Sequence, residues 1–122
     1  MSSIDWSKLI TRQMKVAAAA TQLLANAKGD LAFRNGQAAA QILKIQERID
    51  TIGYGIDAGV ATDEDEAEQA ALMINLKAWK AYKFALGKVA TQAVWPSAPN
   101  WPVAPAIQDI AADPAAMSPD TV

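Results

Sequence analysis

The chain has 122 residues, of which 52% are apolar and 20% charged, with 11 Lys and Arg against 13 Asp and Glu. This length suits one domain with a modest core. It contains neither Cys nor His, which excludes disulfides, thiolate nucleophiles, Ser-His or Cys-His relays and ordinary zinc sites. A net charge of -2 gives no overall field to draw the chain onto nucleic acid or an anionic membrane. The expectation is therefore a non-enzymatic binding or assembly protein, with no cofactor, metal or small-molecule substrate.

Charge and proline divide the chain. Residues 1–60 carry +2, residues 61–95 carry -1 and residues 96–122 carry -3, and all six prolines lie at or after Pro96. Proline fixes φ and removes a donor, so the body can be long helix and the tail cannot. No apolar run approaches the roughly 20 residues of a membrane span, and Met1 to Asp5 lacks the basic start and apolar run of a secretory signal. The expected location is the cytoplasm.

The expected fold is all-α: a small helical bundle, or a helical hairpin plus one further helix, with an extended Trp/Pro-rich tail. Three segments make it up: 1–60 as a long or broken helical segment ending in a glycine-rich turn, 61–92 as an amphipathic helix, and 93–122 as the tail.

In the first segment, good helix formers follow a four-three spacing through Ile10, Met14, Ala17, Thr21, Leu24, Lys28, Leu31, Asn35, Ala38, Ile42, Ile45, Ile49 and Ile52. A heptad this long reads either as one continuous rod, a coiled-coil seam with polar register positions, or as two helices. All three polar entries, Thr21, Lys28 and Asn35, fall together in the stretch that also holds Gly29 and Gly36, and Gly29-Asp30 and Asn35-Gly36 are familiar turn pairs. The balance favours two helices, roughly 7–28 and 37–52. The stretch from Gly53 to Gly59 holds three glycines and is expected to end the second of them. It has neither the Lys-Ser or Lys-Thr nor the preceding strand of a phosphate loop.

The next helix has a clear start. Thr62 stands where it can cap first-turn amides, and Asp65, three residues on, completes a capping box. Five acids, Asp63, Glu64, Asp65, Glu66 and Glu68, lead, and Lys77, Lys80, Lys83 and Lys88 follow, which matches the helix dipole. The acids need no metal or acid-base chemistry to explain them. Leu72, Leu76, Trp79, Leu86 and Val89 form one stripe with Tyr82 beside it, while Met73 and Phe84 lie to the side. Trp79 and Tyr82 each carry a polar atom that needs a partner when buried, which places at least one of them at the edge of a partner surface.

The tail repeats a Trp-Pro-x-x-Pro unit, at 95–99 and 101–105. Such units are pre-extended and lose little entropy on docking, and their indoles bury large areas. Docking on a partner and folding back onto the helices fit equally well. Residues 106–122 read as a weakly acidic, flexible end.

From Gly59 to Pro105 the chain resembles the C-terminal part of phage tail fibre assembly proteins. The resemblance rests on Ala61-Thr62-Asp63-Glu64, then Trp79-x-x-Tyr82-x-x-x-Leu86, then Trp101-Pro102-x-x-Pro105; the opening Ile4 to Thr11 is similar to the helical leader of such proteins, a less specific match. Phe84, Gly87, Lys88 and the duplicated Trp95-Pro96 unit depart from the pattern. The spacing from Leu86 favours Trp101 as the docking unit.

The resemblance implies a chaperone that helps a trimeric tail fibre fold, trimerise or attach. The partner-binding residues would be Trp79, Tyr82, Lys83, Leu86, Trp95, Pro96, Trp101, Pro102 and Pro105. The partner would be the tail fibre protein, with no nucleic acid, membrane or small-molecule partner, and the location the host cytoplasm or the virion tail. The competing expectation is a structural virion component in which the heptad forms an intermolecular bundle, as a homo-oligomer. An enzyme working with carboxylates alone is the weakest alternative, since a body this small offers little cleft.

Overall fold

The computed structural model describes residues 6–110, with side chains from Ile10 onward. The expectations for Met1 to Asp5 and for residues 111–122 lie outside the described residues. Two α-helices make an antiparallel hairpin, and the proline-rich segment folds back across it. The described residues contain no strand, in keeping with the all-α expectation.

Helix α1, Trp6–Asp57, is a single helix of 52 residues, roughly 78 Å long at the usual rise. This corrects the expected break between Gly29 and Gly36. Neither glycine has a positive φ, both are exposed and helical, and a Cβ at either would meet nothing within 4 Å. The turn pairs are overridden because two glycines cost only about 2 kcal/mol of helix propensity. The face passing between them is held down by buried Ala27 and Ala38 and by half-buried Leu31 and Asn35.

The glycine-rich stretch is also corrected. Gly53 and Gly55 remain helical, and only Gly59 ends α1. Its φ is 73°, in the left-handed region that glycine adopts without a Cβ penalty. The Gly59 N–H donates to the Ile56 carbonyl, and the Val60 N–H to that of Gly55, each at 3.0 Å. These two bonds form a Schellman motif and satisfy carbonyls that the helix leaves open.

Helix α2, Asp63–Leu86, starts with the capping box that the Thr62 and Asp65 spacing predicts. The Asp65 N–H donates to Thr62 Oγ1 at 3.1 Å, and the Thr62 N–H donates to Asp65 Oδ2 at 2.9 Å. That second bond, from the Thr62 backbone, is the main reason the Asp65 carboxyl is held below its usual range. Helix α2 packs Leu72, Asn75, Trp79, Tyr82 and Leu86 inward against Ala38, Ile45, Ile49 and Ile52 of α1. Met73 and Phe84 stay exposed, as the stripe requires. Arg48 of α1 clasps Glu68 of α2 through two bonds, 2.6 Å from Nε to Oε2 and 3.1 Å from Nη2 to Oε1.

After a short 3-10 turn, Val89–Thr91, the chain loops and returns. Gln92 closes the loop by donating from Nε2 to the Asn100 carbonyl at 2.8 Å while its Oε1 accepts from the Asn100 N–H at 2.7 Å. The Trp95–Pro96 peptide bond inside the loop is cis. Residues 101–110 then run without helix or strand back along α2. The Ala106 carbonyl accepts from Asn75 Nδ2 at 3.0 Å and from Trp79 Nε1 at 3.3 Å, and Ile110 is buried in the core. The indole N–H of a fully buried tryptophan thereby finds its acceptor within the chain.

Candidate functional site

The nine residues expected to meet a partner divide into three groups. Trp79, Tyr82 and Leu86 are buried, at 0%, 4% and 0% exposure, and Trp79 and Tyr82 pack edge to face at 5.5 Å. They form the hairpin core, which corrects the expectation that Trp79 or Tyr82 edges a partner surface. The reason is tertiary: the returning tail, 27 residues further on, supplies the acceptor for Trp79 and adds Ile110 to the same core. Lys83 is exposed and stands in the last turn of α2, where its charge complements the dipole.

Trp95, Pro96, Trp101, Pro102 and Pro105 are half-buried. The two indoles meet edge to face at 6.4 Å, and the Arg34 guanidinium lies 4.4 Å over the Trp101 ring. Of the two uses open to the Trp-Pro tail, this conformation adopts back-folding onto α1. Arg34 is itself held by Asp30 at 3.0 Å one turn earlier. Spacing along α1 made that ion pair legible in the sequence, but the stacking across 67 residues to Trp101 carried no local signal.

The heptad spacing marks the N-terminal half of α1 as apolar on one face but does not say that it is left uncovered while the second half is buried. α1 is far longer than α2, which spans about 36 Å, so its first half outruns the hairpin. From Ile10 to Asn26 every side chain is exposed except half-buried Leu24. Ile10, Val16 and Leu23 are 53%, 65% and 39% exposed. Together with Ala17, Ala20 and Leu24 they continue, at helical spacing, the same face that is buried from Ala27 to Ile52. The core stripe of α1 thus runs on for about five turns beyond anything that covers it among the described residues. Helix there needs no new nucleus, because it extends one already formed.

Where this arm joins the body, a groove of about 150 Å³ opens between Leu23, Asn26, Ala27 and Asp30 of α1 and Pro96, Pro99 and Trp101 of the tail. Among the described residues there is no group of three Asp or Glu side chains placed to hold a metal ion, and no helix long and apolar enough to cross a membrane.

No family model, curated protein or solved structure matches this chain.

Proposed function

We propose that this chain is a non-enzymatic assembly chaperone that binds a phage tail fibre and assists its folding, trimerisation or attachment. The observation that carries the binding role is the first half of α1, which leaves the hairpin with the core stripe of the helix still in water. A monomer gains nothing by keeping such a stripe exposed, and contiguous apolar surface of this kind is characteristic of an interaction site. The fibre as partner rests on the resemblance of residues 59–105 alone. With Trp79, Tyr82 and Leu86 committed to the core, their part in that motif is to hold the hairpin and the Trp-Pro tail that flank the arm. The test is to co-express the tail fibre of the same phage with and without this chain. The chaperone role predicts a higher yield of soluble, trimeric fibre in its presence, and equal yield refutes it.

A second reading is favoured by the continuity of α1. A single 52-residue helix suits a structural component that stays on the particle through an intermolecular bundle. Such a component is present in stoichiometric amount in purified virions, whereas a released chaperone is absent from them.

A further inference from the structure

The unpaired face of α1 has a charge as well as a shape. Between Trp6 and Gly29 the chain carries Lys8, Arg12, Lys15 and Lys28 and no acidic residue. At 3.6 residues per turn, the apolar face formed by Val16, Ala17, Ala20, Leu23 and Leu24 has Arg12 at one edge and Lys28 at the other, in line with Ile10 five turns earlier. The first acid beyond the arm, Asp30, is already paired with Arg34.

This distribution discriminates among occupants. A second copy laid arm on arm would bring two wholly basic segments together, where like charges in close contact repel. A lipid surface rewards bulky side chains, because binding scales with buried apolar area. Here exposed Ala17 and Ala20 occupy the middle of the face, offering little area to insert but allowing another helix backbone to approach closely. At the base of the arm the groove under Trp101 is open to solvent and has about 150 Å³ of space, room for one side chain of a partner.

We infer that the arm from Ile10 to Asn26 is the docking surface for an acidic amphipathic helix of a partner protein, which lays its apolar stripe on Val16, Ala20 and Leu23, sets carboxylates beside Arg12 and Lys28, and places one aromatic side chain in the groove under Trp101. This rests on the proposed binding role and names the chemistry of the partner. The mode is helix-in-groove recognition, with apolar anchors for affinity and charge for selection.

The test uses the full chain and two fluorescein-labelled amphipathic peptides of identical apolar pattern, one flanked by Glu and one by Lys, read by fluorescence anisotropy. The Glu peptide is expected to bind at least tenfold more tightly than the Lys peptide and to weaken as salt rises. The double variant Arg12→Glu/Lys28→Glu is expected to lose at least tenfold for the Glu peptide. Ala20→Trp, on the face, blocks binding, whereas Ala18→Trp, on the opposite side, leaves it unchanged. All four positions are exposed, and an unchanged circular dichroism spectrum confirms that each variant is folded. Equal binding of both peptides, or equal effects at positions 18 and 20, overturns the inference. Capture by phosphatidylserine vesicles without peptide binding, or an arm-dependent dimer in sedimentation, overturns it in favour of a lipid or a second copy. None of these measurements involves the fibre, so failure here and failure of the chaperone role are told apart.

Discussion

Replacing Gly36 by alanine separates a continuous α1 from a broken one by the sign of its effect. Gly36 is helical and exposed, and an added Cβ meets nothing within 4 Å, so the substitution adds no clash and buries no group. What changes is backbone entropy: alanine is favoured over glycine in a helix interior by about 0.8–1 kcal/mol, partly through a less free unfolded chain. The variant is therefore expected to be more stable by about 1 kcal/mol, or roughly 4 °C in Tm for a domain of this size. Urea denaturation followed by far-ultraviolet circular dichroism measures this, with the m-value unchanged. Had Asn35-Gly36 formed a turn with Gly36 in the left-handed region, alanine would destabilise by about 1 kcal/mol or more. A loss of stability at Gly36 therefore refutes the continuous helix. Gly59 is the internal control, because its φ of 73° makes Gly59→Ala destabilising.

Acid is expected to loosen the hairpin through Glu68, whose carboxyl is held below its usual range by the hydrogen bonds from Arg48. A depressed carboxylate contributes stability that is full above its unfolded value of about 4.3 and is lost as pH falls through the lower folded value. Because the Glu68 side chain is 36% exposed, that contribution is no more than about 1 kcal/mol. Glu68→Gln should flatten the acid side of the stability profile relative to the parent chain, and identical acid slopes contradict the assignment. Ile110→Ser should release the returning segment, since Ile110 is 5% exposed and anchors the segment's second half together with the bonds to the Ala106 carbonyl. The expected readout is faster exchange of the Trp79 indole N–H by NMR, with the α1 and α2 amides still protected. Unchanged indole exchange would show that the segment is held by other means.

Local chemistry made the secondary structure of this protein readable and left its surfaces hidden. The capping box at Thr62 and Asp65, the inward stripe from Leu72 to Leu86 and the proline-free body were legible because each depends on neighbours within a turn or two. The same local signals misled at Gly29, Gly36, Gly53 and Gly55, where turn propensity worth about 1 kcal/mol per residue lost to packing along one face. At Gly59, with its φ of 73°, the geometry did call for glycine.

The sequence determined by itself that this is a helical body with a Trp-Pro tail, since periodicity and the placement of proline are properties of the chain. Only the tertiary structure decided which apolar residues are spent inside the molecule. Trp79, Tyr82 and Leu86 look like a binding motif, yet they are consumed by α1 and the returning tail. Ile10 to Leu24 look like more of the same core stripe, yet α2 is too short to reach them. A stripe is core or interface according to whether another element of the chain is long enough and placed to cover it, and that follows from contacts between segments tens of residues apart.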